Sequence, residues 1–201
     1  MIAIIDYGMG NLRSVQKAFE AVGAQAQVTN KIDVILNADK VVLPGVGAMG
    51  PAMQKLQELS LTGPIWKVIK DGKPFLGICL GMQLLFEKST EGGYSEGLKV
   101  LKGGVERFSA ALKVPHMGWN QVMVHPTGNK MFQGLSCDEN MYFCHSYFVK
   151  PQELVLAAGT TDYGIDFVSA VVKDNVWGVQ FHPEKSQKAG LQILRNFERA
   201  E

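Results

Sequence analysis

One cysteine lies in a setting typical of an enzyme nucleophile. Cys79 is the centre of Gly77-Ile78-Cys79-Leu80-Gly81, which follows an apolar run and precedes a helical pattern of apolar residues. A sharp strand-to-helix turn lifts such a side chain above the sheet edge, and glycines two positions away leave room for neighbouring backbone. The turn puts the sulfur near a helix N-terminus and directs the Leu80 N–H toward a developing oxyanion. The alternative is a buried structural cysteine between packing glycines.

A base and its orienting acceptor are present together near the end of the chain. His182-Pro183-Glu184 follows an apolar run at residues 176–181. In an extended segment, residues two apart point to the same side, and the proline stiffens the link between them. Glu184 can therefore fix the tautomer of His182 and hold the ring toward Cys79.

Two glycine-rich loops follow predicted strands. Leu43-Pro44-Gly45-Val46-Gly47 can supply a second oxyanion donor from its backbone N–H groups, although a simple turn is the alternative. Tyr7-Gly8-Met9-Gly10-Asn11 resembles a dinucleotide-binding loop in position, but Arg13 replaces the third glycine of that pattern. A tight turn between strand and helix is favoured there.

The apolar periodicity predicts the elements that position these groups. In the first half, strands at 2–5, 26–28, 40–43 and 75–78 alternate with helical patterns, one from Leu12 to Val22 ending at Gly23 and another around 56–69. Strand runs at 114–124, 141–149, 154–158, 167–172 and 176–181 follow, and then a terminal amphipathic helix with Ser186 as N-cap. We expect an α/β fold in one domain over residues 1–201. It is an open, mixed, mostly parallel sheet with helices on both faces and an antiparallel extension in the second half.

Composition excludes several classes of function. The 201 residues include 20 Lys and Arg against 19 Asp and Glu, a net charge of +1, so neither nucleic acid nor a membrane surface is an expected partner. The longest apolar stretch, residues 75–86, is too short to span a bilayer. Three cysteines at unrelated spacings (Cys79, Cys137 and Cys144) favour a reducing, cytoplasmic location. Cys137, Cys144 and His145 lack the spacing of a metal site, so no metal is expected.

The segment Pro115-His116-Met117-Gly118-Trp119-Asn120 is unusual for a simple strand. It groups residue types that are common in interfaces, although a core position for Trp119 is equally compatible with the sequence. His116 and His125 are interpreted as structural or surface residues.

Together, Pro-Gly-Val-Gly, Gly-Ile-Cys-Leu-Gly-Met-Gln and His-Pro-Glu resemble the class I (triad) glutamine amidotransferase family across essentially the whole chain. Asp6 to Leu12, Pro115 to Asn120 and His182 to Ser186 are similar to the glutaminase subunits of imidazole glycerol phosphate synthases. The resemblance implies hydrolysis of L-glutamine to glutamate and ammonia without a cofactor. The ammonia would pass to a (β/α)8 cyclase subunit in a heterodimer. That subunit makes imidazole glycerol phosphate and AICAR by a lyase reaction of L-histidine biosynthesis.

The resemblance also implies roles for individual residues. Cys79, His182 and Glu184 are the catalytic residues, and the N–H groups of Val46 and Leu80 form the oxyanion hole. Substrate binding is implied for Gly47, Gln83, Ser146 and Tyr147, and a position facing the cyclase for Asn11, Met117, Trp119, Tyr142 and Lys185. Low activity until the partner binds its nucleotide substrate, an allosteric control, is implied as well.

Three other functions stay open at this point. The chain could serve another synthase, such as that of the pyridoxal phosphate or guanylate pathway, which the triad alone does not separate. It could be a non-catalytic glutamine-sensing or scaffolding module, although the intact triad favours an enzyme. A cysteine peptidase or other hydrolase on a similar sheet is the third.

Overall fold

The structure, a computed structural model, describes residues 1–136 and 138–200, so Cys137 lies outside the described residues. Thirteen strands form in the described chain: β1 (Ile2–Ile5), β2 (Ala26–Thr29), β3 (Lys40–Gly45), β4 (Phe75–Cys79), β5 (Lys88–Ser89), β6 (Ser95–Glu96), β7 (Gly103–Arg107), β8 (His116–Val124), β9 (Asp138–His145), β10 (Tyr147–Pro151), β11 (Ala157–Asp162), β12 (Asp166–Lys173) and β13 (Val176–Val179). The helices are α1 (Leu12–Ala21), α2 (Ile32–Asn37), α3 (Met49–Glu58), α4 (Thr62–Lys70), α5 (Leu80–Gln83) and α6 (Gln187–Glu198).

The predicted parallel sheet is confirmed. Its strands lie in the order β2-β1-β3-β4-β13, and each neighbouring pair is parallel. β4, which ends at Cys79, pairs with β3 on one side and with β13 on the other. The carboxyl ends of all three strands therefore meet at one edge, where open α/β sheets carry their ligands.

Helices cover both faces of this sheet, as predicted. On one face, α1 and α6 contribute Val15, Phe19, Ile193 and Phe197 to the core, and the rings of Phe19 and Phe197 lie 6.2 Å apart. The opposite face is covered by α2, α3 and α4. Because strands of the centre are buried on both sides, β1 and β4 carry apolar residues continuously and show no alternation.

Antiparallel strands extend the sheet beyond β13, also as predicted. β12 pairs antiparallel with β13, β10 and β11, and the branch continues through β8 to β9. The run predicted at 141–149 is two strands, β9 and β10, separated at Ser146. The run predicted at 154–158 begins as a single helical turn, Leu154–Leu156, before β11 starts.

Three helix predictions are corrected by the structure. The pattern around 56–69 belongs to two helices, α3 and α4, divided at residues 59–61 where Ser60 has a φ of 54°. The helix after Cys79 is only four residues long, so its dipole contributes little to the thiol. Ser186 stands before α6, but its hydroxyl bonds to the His182 carbonyl and makes no capping bond.

None of the described helices has the length and apolar character needed to span a membrane.

Candidate active site

Cys79 sits in the strained turn that its flanking glycines predict. Its φ is 54° at the junction of β4 and α5, a backbone conformation that is uncommon outside glycine. A Cβ on Gly81 would lie 1.7 Å from the carbonyl oxygen of Leu43, and one on Gly77 would lie 2.7 Å from the Gly81 oxygen. The neighbouring backbone therefore excludes any side chain at both positions, which confirms the sequence argument for the turn.

The structure brings the proposed base and its acceptor into hydrogen bonding. His182 Nδ1 lies 2.8 Å from Glu184 Oε1, and the two side chains are 4% and 1% exposed. The extended segment expected here is wrong. Pro183–Lys185 is a single helical turn, and this turn brings the two side chains together. The His182 backbone is tied to β9, since its N–H donates to the Tyr142 carbonyl at 2.9 Å.

The surroundings of His182 favour its charged form. Burial lowers the pKa of His182, but hydrogen bonds and charge attraction from Cys79 and Glu184 outweigh burial and raise it to about 10. The bond to Glu184 occupies Nδ1, which leaves Nε2 as the ring nitrogen available to the cysteine. An imidazolium of this kind stabilises a neighbouring thiolate, the reactive form of cysteine.

Every residue predicted for catalysis, oxyanion binding or substrate binding except Glu184 lines one cavity of about 190 Å³. Such a volume is below the ~300 Å³ of typical drug-sized sites and suits a ligand the size of an amino acid. The predicted residues in its wall are Val46, Gly47, Cys79, Leu80, Gln83, Ser146, Tyr147 and His182. Glu184 stands behind His182, as an orienting residue should.

Two buried amides connect this wall to the Cys79 sulfur. Gln83 Nε2 donates both to the Tyr147 carbonyl and to Gln180 Oε1, each at 3.0 Å. The Nε2 of Gln180 donates in turn to the Cys79 sulfur at 3.6 Å. Sequence reasoning missed Gln180, because a glutamine within the apolar run 176–181 gives no signal until its partners are seen.

Two further polar groups near Cys79 were not predicted. Glu91 lines the cavity, and burial raises the pKa of its carboxyl despite a hydrogen bond from the Met49 backbone N–H. Tyr7 is 1% exposed, and burial followed by the charge of Cys79 raises the pKa of its hydroxyl. Both residues lie in loops that are separate from the Cys79 turn in the sequence, so the motif around Cys79 gives no signal for them.

Of the residues predicted to face a partner, Lys185 lines the cavity, and Tyr142 and Trp119 lie next to it. Trp119 on β8 stands opposite Tyr142 on β9, with ring centroids 6.0 Å apart, and Lys185 Nζ lies 5.7 Å from the centre of the Tyr142 ring. Met117 and Trp119 are 60% and 48% exposed, so a core position for Trp119 is wrong. Asn11 begins α1, next to the turn in which Gly10 approaches Gly45.

The other candidates from the sequence have simpler roles. Gly8 and Gly10 have φ angles of 83° and 118°, so the first glycine-rich segment is the tight turn that was favoured. His116 is buried and His125 bonds to Thr160 Oγ1 at 2.9 Å, in keeping with structural roles. No group of three metal-ligating side chains occurs within 1–136 and 138–200, and the prediction for Cys137 falls outside those ranges.

A mostly parallel sheet with a cysteine in a strained turn after its central strand defines a class of proteins. Comparison with known proteins identifies the family. The family described as "Glutamine amidotransferase class-I" matches residues 3–200, and the chain belongs to this family. Among solved structures, a glutamine amidotransferase and PurLQS from Thermotoga maritima share the fold. Each has a TM-score of 0.76 and 18% identity over 98% of this chain, and the match covers 99% and 96% of the respective structures.

Relatives with about half of their residues identical belong to one narrower group within this family. The chain is 52% identical to the imidazole glycerol phosphate synthase subunit HisH of Syntrophotalea carbinolica, over 98% of both chains. It is 54% identical to the subunit of the same name from Geobacter metallireducens, over 98% of this chain and 96% of that one. The relative of the same name from Aquifex aeolicus is 53% identical over 98% of this chain and 95% of that one.

Proposed function

We propose that this protein is the glutaminase subunit of an imidazole glycerol phosphate synthase and hydrolyses L-glutamine to glutamate and ammonia. The observation that carries the proposal is the convergence of Cys79 and the His182–Glu184 pair on one small cavity. Full-length identity of about half to HisH subunits supports the assignment to this synthase over the pyridoxal phosphate and guanylate alternatives.

The reaction uses Cys79 as nucleophile and His182 as acid and then base. The Cys79 sulfur attacks the side-chain amide carbon of glutamine, and the carbonyl oxygen becomes an oxyanion held by the N–H groups of Val46 and Leu80. His182 gives its proton to the nitrogen as the C–N bond breaks and ammonia leaves. It then takes a proton from water, which attacks the thioester, so that glutamate and the thiolate are released.

The cavity wall orients the amino-acid end of the substrate. Gly47 and the backbone of Ser146 and Tyr147 bind the carboxylate end, and Gln83 holds that backbone from behind through the Tyr147 carbonyl. Glu91 supplies a carboxylate of the sign needed for the α-ammonium group.

The ammonia serves a cyclase partner bound over the cavity mouth. Met117 and Trp119 provide exposed apolar surface there, and Tyr142, Lys185 and Asn11 border it. A hydrophobic centre with a polar and cationic rim is the composition of a protein interface. The same proposal includes a heterodimer with a (β/α)8 cyclase, allosteric stimulation by the partner's nucleotide ligand and action in the cytoplasm.

We also propose that residues 1–201 form one domain. The continuous sheet and the family match over residues 3–200 support this assignment.

The test is glutamate release from glutamine by the protein alone, with a purified cyclase subunit, and with that subunit and its nucleotide ligand. We expect strong stimulation only in the third condition. Activity that ignores the cyclase would assign the protein to another synthase, and no activity in any condition would favour the scaffolding function.

The cysteine variants separate chemistry from binding. Cys79→Ala and Cys79→Ser should abolish hydrolysis and leave partner binding intact. Cys144→Ser is the matched control, since Cys144 is the other thiol in the cavity wall and should not be required. Substantial turnover by both Cys79 variants would overturn the assignment.

A further inference from the structure

A chain of hydrogen-bonded side chains, two of them buried, connects β8 to the wall of the glutamine cavity. His145 Nδ1 lies 2.8 Å from the Tyr147 carbonyl oxygen, and His145 Nε2 lies 2.9 Å from His116 Nδ1. His116 Nε2 lies 3.3 Å from Asn120 Nδ2. The two histidines are 6% and 3% exposed, so water does not satisfy their ring nitrogens. These three side chains, Asn120, His116 and His145, are called the relay below.

Only one set of proton positions satisfies the whole relay. The Tyr147 carbonyl can only accept, so His145 carries its proton on Nδ1, and its Nε2 must accept. The proton between the rings therefore belongs to His116 Nδ1, which leaves His116 Nε2 to accept from the Asn120 amide. The second N–H of that amide donates to the Asp162 carbonyl at 2.8 Å. The bonds from Asn120 to His116, from His116 to His145 and from His145 to the Tyr147 carbonyl thus all run toward the cavity.

The end of the relay is a backbone group that the substrate site uses. The Tyr147 carbonyl accepts from His145 and also from Gln83 Nε2, and the Ser146 carbonyl accepts from the Phe108 N–H at 3.1 Å. These bonds hold the break between β9 and β10, where the chain turns past the cavity. Without His116, the His145 ring keeps its hydrogen bond to the Tyr147 carbonyl but loses its partner at Nε2.

We propose that His116, supported by Asn120, is a positioning residue for glutamine binding. It acts through His145 on the Ser146–Tyr147 backbone that lines the cavity. This inference rests on the proposed function. It assigns His116 to substrate affinity and not to the chemical step, because the relay reaches the amino-acid end of the site and does not touch the reacting amide.

The position of the relay on β8 also connects the cavity to the exposed face. His116 and Asn120 point inward, and Met117 and Trp119 point outward from the same strand. One strand therefore carries both the relay and two of the residues predicted to face a partner.

The surroundings keep both histidines neutral, which the relay requires. Burial lowers the pKa of His116 to about 4. Burial lowers the pKa of His145 to about 3, although its hydrogen bond to the Tyr147 carbonyl opposes this, and the nearby His116 and His182 lower the pKa further. Aromatic stacking packs the His116 ring, whose centroid lies 4.8 Å from that of Phe143 and 4.0 Å from that of Tyr163. His116→Phe therefore keeps a ring in this stack while removing both hydrogen bonds.

The first test measures the protons directly, by ¹⁵N NMR of the histidine rings of the wild-type full chain at neutral pH. We expect His116 and His145 both to be neutral and protonated on Nδ1, with assignment from single histidine variants. A proton on Nε2 of His116, or an imidazolium at either position, would overturn the relay. This measurement does not depend on activity.

The second test is glutaminase kinetics in the complex with the cyclase subunit and its ligand. His116→Phe should raise the KM for glutamine about tenfold and change kcat less than threefold. His125→Phe is the control with the same substitution outside the relay, and it should leave both constants unchanged. An unchanged KM in His116→Phe, or a loss confined to kcat, would overturn the positioning role while leaving the proposed function intact. An inactive wild-type complex would instead refute the proposed function, and the positioning role with it.

Discussion

Replacing Glu184 with glutamine removes a charge from behind the catalytic imidazole and keeps the shape of the side chain. The carboxylate bonds His182 Nδ1 at 2.8 Å, and the amide oxygen of glutamine can still accept that bond. With the charge centres about 4 Å apart and an effective dielectric constant of about 20, the lost attraction is about 4 kcal/mol. At 1.36 kcal/mol per tenfold, this lowers the population of the imidazolium–thiolate pair about 10³-fold.

The assay is alkylation of Cys79 by a diazoketone analogue of glutamine, followed as a function of pH, together with glutamate release. At pH 7 we expect Glu184→Gln to react between about 10² and 10³ times more slowly than wild type. The pKa of His182 is raised to about 10 in wild type and moves back toward 6.5 in the variant, so the imidazolium is lost at lower pH. The two alkylation rates should therefore converge as the pH passes about 10.

The same substitution should destabilise the fold at neutral pH. The attraction that raises the pKa of His182 exists only in the folded chain, and its removal leaves a buried imidazole without its anionic partner. The unfolding temperature of Glu184→Gln at pH 7 should lie below that of wild type, whereas the exposed control Glu153→Gln should match wild type and keep full activity. Alkylation of Glu184→Gln within threefold of wild type at pH 7 would refute this account of the pair.

Other perturbations test the fold, the interface and the buried histidines. Gly81→Ala should cost more than ~3 kcal/mol of unfolding free energy in urea titrations, because its Cβ meets the Leu43 carbonyl. Gly63→Ala, in the first turn of α4, meets nothing within 4 Å and should change stability by less than ~1 kcal/mol. Equal stabilities would contradict the steric argument. Trp119→Ala should weaken cyclase binding in calorimetry at least ~30-fold and leave Cys79 alkylation unchanged. The low pKa of His116 means that the unfolded chain binds its proton first, so wild-type stability falls as pH drops from 6.5 toward about 4. His116→Phe should flatten this fall by up to ~1.4 kcal/mol per pH unit, and a slope equal to that of wild type would show that the buried ring titrates normally.

Local sequence determined much of the scaffold. The continuous apolar runs of β1 and β4 and the alternation of strands with helices identify a parallel sheet, because both signals depend only on neighbouring residues. The glycines around Cys79 and the proline between His182 and Glu184 likewise report short-range geometry. For this reason the nucleophile turn and the His182–Glu184 pair were predicted residue by residue.

Boundaries set by tertiary contacts were not predictable in the same way. Two hydrogen bonds accompany the division of the 141–149 run at Ser146. The Phe108 N–H donates to the Ser146 carbonyl, and the His145 ring donates to the Tyr147 carbonyl. Apolar periodicity is the same for one long strand and two short ones. The interruption is visible only when the groups that satisfy the backbone there are known.

The sequence by itself determined the parallel sheet, the turn at Cys79 and the pairing of His182 with Glu184. Only the tertiary structure decided that Gln180 and Glu91 join them, and that His116 is buried on one side of β8 while Trp119 is exposed on the other. The physical reason is the range of the interactions. A turn or an i, i+2 pair is set by steric rules along the chain. A buried polar side chain takes its role from partners tens of residues away, which only the folded sheet brings within hydrogen-bonding distance.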